Sequence, residues 1–421
     1  MNVVVIGAGW NGCHCALTLA KAGHQVVLLE KADEVFRGVS GDFGIRLHKG
    51  PHYPRSKATR KNCLAAFDRF CEEYPDLVVA HESAIYAQGR TDALGNRSKV
   101  SAQVFADVCH ESPECRALDF RALGFNELES AFHLDEPSAV LGERLRIYFK
   151  QKLIDAGVQV HLGVNVESIH TRHDGLKVIH ASDGRSMVAD RVINSTGFQS
   201  LLPERFKEDF PFDVEVVYQP CLALCYKDQA PAQKPLSFIV MDGWFPCLMP
   251  AITSDALVCD DYILTHGSYT IMGSFAEPDQ AHALLATLCD AFIEANIKPA
   301  TETQMLRFWP QFLQRFRYTG WKGAVLAKLK TRSEFRSAVT FERDGVIYIF
   351  PGKISNAFDA ADEVLTLLGD QGCVEQNGFR FAMDGVLFAA WQELEEKPQP
   401  WEQNTCNLHT YQRMSVQVSE Q

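Results

Sequence analysis

The sequence predicts an α/β protein. A Rossmann-like layer is assembled from separated stretches of chain, and a strand-rich region followed by a helix lies between them. Three observations predict this. The first thirty residues carry a complete strand, glycine turn, helix, strand and acid. Strand-and-turn segments of the same kind return at residues 189–197 and 345–353. The intervening stretch, residues 207–275, is strand-rich.

Val3-Val4-Val5-Ile6 is a continuous β-branched run, as expected of a parallel strand buried on both faces. Gly7-Ala8-Gly9-Trp10-Asn11-Gly12 follows as G-x-G-x-x-G, and Cys13 to Ala22 reads as a helix closed by Gly23. Gln25 to Leu29 is the next strand, ending at Glu30. In such a unit Gly7 makes the tight turn, Gly9 lets backbone approach a pyrophosphate, and Gly12 lets helix and strand pack closely. The helix N-terminus offers free N–H groups to phosphates. Glu30 lies 18 residues after Gly12, close to the roughly 20 at which a carboxylate meets ribose hydroxyls. The unit predicts a dinucleotide site.

Val158 to Leu162 and Asn165 to Ile169 read as short strands. Turns at Asp174-Gly175 and Asp183-Gly184 frame a hairpin strand, Leu176 to Ala181. Ala189 to Asn194 is a strand entering the small-residue turn Ser195-Thr196-Gly197. Gly345 to Phe350 leads into Pro351-Gly352-Lys353 and a helix over Asn356 to Leu368. Between these, Val214 to Tyr226, Leu236 to Met241 and Tyr262 to Gly273 read as strands, and residues 278–296 as one amphipathic helix.

The 421 residues suffice for two domains, and 46% apolar residues for a full core. A net charge of −12 argues against a general nucleic-acid binder, which needs a basic footprint. No stretch approaches the roughly 20 apolar residues that span a bilayer. The first apolar run enters glycines and reads as a folded strand, not a secretory signal. The thirteen scattered cysteines read as free thiols, which points to a cytoplasmic protein. A metal site is not expected. His48 and His52 have helical ligand spacing, but Gly50-Pro51 lies between them, and Cys13-His14-Cys15 would point in different directions on a helix.

The N-terminal unit ending in Glu30-Lys31, the turns Ser195-Thr196-Gly197 and Pro351-Gly352-Lys353, and one further stretch carry a resemblance. That stretch is Ser40-Gly41-Asp42-Phe43-Gly44-Ile45-Arg46-Leu47-His48-Lys49-Gly50-Pro51-His52-Tyr53-Pro54-Arg55-Ser56. Together they resemble the D-amino-acid oxidase superfamily of FAD-dependent oxidoreductases, over most of the chain. The resemblance implies a discontinuous FAD-binding domain over 1–85, 140–205 and 325–421. It implies a substrate domain, a mainly antiparallel sheet with helices, over 86–139 and 206–324. FAD is the implied cofactor. Its implied contacts are Gly7, Gly9, Trp10, Asn11, Gly12, Glu30, Lys31, Arg37, Ser40, Arg46, Val166, Thr196, Gly197, Gly352, Lys353 and Ile354.

The implied chemistry is hydride transfer to flavin N5 from the C–N or C–O bond of a small polar substrate, an amino or hydroxy acid. His48, His52 and Lys353 are the catalytic candidates. Either histidine suits a general base. His48 is also a candidate for a covalent flavin link, as in some family members. Lys353, at the start of the last long helix, suits the negative charge that builds at the N1–C2=O edge. Arg46, Arg332 and Arg336 are candidates for a substrate carboxylate, and Tyr53, Tyr269 and Tyr318 for the pocket wall. Only one G-x-G-x-x-G exists, which suggests that electrons enter from the organic substrate. An NAD(P)H-driven flavin monooxygenase is an alternative. So is a non-redox flavin isomerase of the UDP-galactopyranose mutase type, on Gly50-Pro51-His52, or a flavin-binding structural protein. A small molecule is the expected partner, and homo-oligomerisation stays open.

Overall fold

A computed structural model describes residues 1–390 apart from 44, 113, 243, 255–257, 332–334 and 370. Arg332, Gly44 and residues 391–421 lie outside the described residues.

The strand Asn2–Ile6 pairs in parallel with Gln25–Leu29 on one side and Arg191–Asn194 on the other. Val346–Phe350 and Gln159–His161 extend the parallel core outward. Three antiparallel strands, Val339–Arg343, Phe379–Ala382 and Cys373–Gln376, complete eight. The unbroken apolar run of the first strand has a direct cause. Val3 and Val5 enter one core with the helices Trp10–Lys21 and Ala357–Gly369, while Val4 and Ile6 enter a second core on the opposite face. Both faces are covered, so both side-chain sets are apolar.

The second eight-stranded sheet is mixed but mainly antiparallel. Its order is Phe316–Lys330, Glu215–Asp228, Asp261–His266, Pro246–Pro250, Leu236–Met241, Ser83–Gly89, Leu128–Leu134 and Arg116–Ala117. Among the described residues of this sheet, only Leu236–Met241 and Ser83–Gly89 run parallel. One face packs under the helices of residues 278–308 through Leu248, Leu264 and Phe308. The other face carries Tyr86, Cys247, Met249 and Ile263 toward Ile45. The period of two along each strand does this sorting.

Two elements depart from the sequence reading by more than a shifted end. The strand expected over Tyr262 to Gly273 stops at His266, because Thr270 Oγ1 accepts from the His266 N–H at 2.9 Å and donates back to its carbonyl, closing a turn. The helix expected over 278–296 is interrupted. Pro278–Thr287 ends at Leu288, whose ψ of 139° is extended, and helix resumes at Asp290. The apolar stripe continues across the break, so periodicity alone did not reveal it. No helix among the described residues is long and apolar enough to cross a membrane. The twelve described cysteines are free thiols.

Glu363, on the late helix, is buried at 6% exposure and accepts the Val386 N–H at 2.7 Å. Burial pushes its carboxyl up to about 7, against that hydrogen bond and one from Thr340. Between the ordinary carboxylate range and pH 7 the folded state binds the extra proton, so this group's contribution is lost as pH rises through 7. Glu363→Gln keeps the acceptor without the charge. We expect it to raise the melting temperature by at least about 2 °C at pH 8 and to have little effect at pH 4.5. An equal effect at both pH values would contradict this account.

Candidate active site

The glycine turn is as crowded as the motif requires. Gly7 has φ +98°, and a Cβ there would lie 2.7 Å from the Ser195 carbonyl oxygen. A Cβ at Gly12 would lie 1.8 Å from the Gly7 carbonyl oxygen. The helix Trp10–Lys21 therefore begins three residues earlier than its apolar pattern suggests, with Gly9 as an N-cap that supplies no side chain. Ser40 Oγ accepts the Trp10 N–H at 3.3 Å, and Asn11 Oδ1 is buried there with no partner among the described residues. Glu30 accepts from the N–H groups of Ala8 at 2.7 Å and Ala32 at 2.9 Å, tying the acid at the second strand's end to the turn. A backbone cradle that side chains would fill, with an orphaned polar atom at the helix N-terminus, fits the dinucleotide end of FAD.

Other expected cofactor residues surround this turn. Thr196 and Gly197 follow Ser195, whose Oγ donates to the Gly7 carbonyl at 3.0 Å. Val166 is buried, packing in the same core as Leu29. Lys31 is exposed, near enough to His282 to oppose its protonation. Arg37 is half-exposed, pairs with Asp33 at 3.0 Å, and lines an open cleft of about 470 Å³ with Phe36 and Arg146. The Trp10 indole turns away from the cradle. It is 2% exposed and packs against Phe36, Phe70, Tyr74 and Phe149, so only its backbone stands at the turn.

The second part of the site is a cluster of charge in which His48 and Tyr53 are buried and Arg46, His52 and Lys353 half-buried. The loop after Ile45 brings Arg46, His48, His52 and Tyr53 together. The imidazoles of His48 and His52 stack at 4.8 Å, and the Tyr53 ring meets both edge-on at 5.3 and 5.0 Å. Arg46 Nη1 stands 3.0 Å from the His52 ring nitrogens, and Nη2 donates to Cys247 Sγ. A guanidinium only donates, so His52 meets it with a lone pair and is neutral. Lys353 Nζ lies 4.8 Å from the Tyr53 ring centroid.

Gly352 sets that lysine in place. A Cβ at Gly352 would lie 2.1 Å from the Ala338 nitrogen, so only glycine lets this turn pass the neighbouring chain. Asn356 Oδ1 then accepts the Lys353 N–H at 2.8 Å, and Asn62 joins Asn356 to Asp359. Ile354 packs against the core at the start of the short turn leading into the last long helix.

Burial and mutual repulsion set the protonation of the cluster. Burial, then Lys353 and Arg46, push the His48 imidazole down to about 4, with Glu136 opposing. Burial, then Arg46, His48, Lys353 and Arg336, hold His52 well below its usual value. Burial and Arg336, with Arg46 and Lys328, bring the Lys353 ammonium down to about 7. Both imidazoles are thus neutral at pH 7 and able to accept a proton.

Lys353 binds fewer protons folded than unfolded between pH 7 and its ordinary value of 10.5, so its cost is full below pH 7 and fades as pH rises. We expect Lys353→Met to raise the melting temperature at pH 6.5, with the gain disappearing toward pH 10.5. A gain of the same size at both would rule out the buried amine as its source.

Arg336 bears on this cluster through its charge, and its backbone N–H bonds Thr59 Oγ1 at 3.1 Å. Tyr269 lies in the turn after His266, its ring 4.9 Å from that imidazole. Tyr318 packs 5.7 Å from Tyr226, with the core on the helix-covered face of the sheet. Three residues of the cluster escaped sequence reasoning: Glu136, Tyr86 and Cys247. Each is a single side chain on a different strand or connection, and strand alternation was the only available signal, for Tyr86 and Cys247.

Comparison with known proteins identifies the family. The family model for FAD dependent oxidoreductases matches residues 2–347. The chain is 55% identical, over 98% of its length and 97% of the relative's, to a protein of Aspergillus flavus named FAD-dependent monooxygenase kojA. Among solved structures, glycine oxidase from Geobacillus kaustophilus is similar with a TM-score of 0.60 at 15% identity, covering 87% of this chain and 94% of that one. NikD, an amino acid oxidase of nikkomycin biosynthesis, is similar with a TM-score of 0.63 at 13% identity, covering 86% and 92%. The chain belongs to the FAD-dependent oxidoreductase family, and its cofactor is FAD.

Proposed function

We propose that this enzyme oxidises a small polar substrate at a C–O or C–N bond, with the substrate held against the Arg46–His48–His52–Lys353 cluster. Bound FAD supplies the hydride acceptor. The observation that carries the reading is the stacked pair of imidazoles, His48 buried and His52 half-buried, held neutral beside the Arg46 guanidinium. A neutral imidazole removes the proton of a substrate O–H or N–H, which makes the adjacent C–H bond a better hydride donor. Arg46 and Lys353 stabilise the negative oxygen that develops. The separated segments carrying the glycine turn and the Gly352 turn form the cofactor domain in this reading, and the mixed sheet covers the substrate. Gly7, Gly9, Gly12, Asn11, Glu30, Ser40, Thr196 and Gly352 hold the cofactor.

A second reading, an NAD(P)H-driven monooxygenase, is favoured by the name of the 55% identical relative. The fate of oxygen separates the two. The oxidase reading expects oxidised product without added NAD(P)H, and no atom of labelled dioxygen in it. Obligatory NAD(P)H consumption with one labelled oxygen in the product would establish the monooxygenase instead.

A further inference from the structure

We propose that Glu136 is the positioning residue for His48, fixing its proton on Nδ1 and leaving the Nε2 lone pair open to the substrate. The inference rests on the reading above, in which His48 accepts the substrate proton.

Glu136 lies between the strands Leu128–Leu134 and Ser138–Ala139 and is 5% exposed. Its Oε1 accepts the Lys49 N–H at 2.7 Å, and its Oε2 accepts the Tyr86 hydroxyl at 2.5 Å. The same Oε2 faces His48 Nδ1 at 3.7 Å. The carboxylate therefore grips the backbone one residue past His48 while confronting its ring. Burial works against the charge, but the His48 ring and the two donors outweigh it and hold the carboxyl below its usual value. An ionised carboxylate only accepts. Nδ1 of His48 is buried, has no hydrogen-bond partner among the described residues and faces that carboxylate, so the Nδ1–H tautomer is the one that turns a proton toward it.

The 3.7 Å gap is longer than a hydrogen bond, and catalytic hydrogen bonds of this kind commonly shorten when the site fills. The His52 ring stacked on His48 and the Tyr53 edge limit rotation of the imidazole. In the proton step the substrate O–H bond breaks, its electron pair stays on oxygen, and a new N–H bond forms at Nε2. The resulting imidazolium lies beside Glu136, which offsets the repulsion from Arg46 and Lys353. Tyr86 and the Lys49 backbone hold the carboxylate so that it need not reorganise during this step.

The test is ¹⁵N–¹H correlation spectroscopy of histidine-labelled, FAD-loaded protein at pH 7, with the His48 signals assigned by their loss in His48→Gln. The proposal expects the Nδ1–H tautomer in the wild type and its replacement by a mixture, or by Nε2–H, in Glu136→Gln. Glu136→Asp should retain Nδ1–H. A wild-type Nε2–H tautomer would overturn the proposal, even if no variant folds. So would a Gln variant that keeps Nδ1–H. In anaerobic reduction by the amino, N-methyl amino or 2-hydroxy acid that bleaches the wild-type flavin, Glu136→Gln should lower the limiting rate about 10- to 100-fold, with KM and the flavin spectrum unchanged and partial recovery in Glu136→Asp. A His48→Gln protein that reduces at the wild-type rate would remove His48 as the base. The tautomer result would still stand, so the two failures are distinguishable.

Discussion

Gly12→Ala is expected to yield a protein purified without flavin colour, with FAD affinity weakened at least about 100-fold, equivalent to about 2.7 kcal/mol. The cause is local. The new Cβ would lie 1.8 Å from the Gly7 carbonyl oxygen and 2.6 Å from Ser195 Oγ, so the helix must move off the strand or the turn must open. Either displaces the N–H groups of the helix start from the phosphates. Gly23→Ala is the control. That residue has φ +86° but nothing within 4 Å of its Cβ, so it meets backbone strain without crowding, costing about 1 kcal/mol, and FAD should stay bound. Absorbance of the purified proteins and calorimetric FAD titration decide the matter. Full flavin occupancy in Gly12→Ala would mean that the turn does not cradle the cofactor.

The second large effect concerns the buried His48 imidazole. His48→Gln should lower the rate of anaerobic flavin reduction by substrate about 10²- to 10⁴-fold, the range of a positioned general base. The wild-type pH profile should carry the signature of its surroundings. The acid limb of kcat/KM falls near pH 4, where burial, Lys353 and Arg46 hold His48, and not near the ordinary histidine value of 6.5. Below that limb the base is protonated and the rate drops. On the alkaline side Lys353 loses its charge through about pH 7, and with it part of the stabilisation of negative charge, so the rate declines again. Steady-state kinetics across this range test both limbs. An acid limb at 6.5 would contradict His48, in these surroundings, as the base.

Legibility in the sequence followed the range of the interactions. The N-terminal strand, glycine turn and second strand were readable because their periodicities and spacing are local, and the structure reproduces Gln25–Leu29 and Leu236–Met241 to the residue. The Gly352 turn was readable for the same reason. Trp10 shows the limit. Its position in the motif suggested a cofactor contact, but the first helical turn sends the indole into the core while its N–H stays at the cradle. Glu136 was invisible because nothing near it in sequence marks it. It matters only because Tyr86, 50 residues away, and Lys49, 87 residues away, converge on it. The break at Leu288 was hidden because the apolar stripe of the helix runs through it.

The most direct test of substrate oxidation at this site is anaerobic mixing of FAD-loaded enzyme with a panel of amino acids, N-methyl amino acids and 2-hydroxy acids, followed by flavin absorbance. Any active member is then compared with its form deuterated at the reacting carbon. The account expects bleaching by the substrate alone, slowed by the deuterium, with no NAD(P)H present. Flavin that stays oxidised with every panel member yet bleaches promptly with NADPH would contradict it.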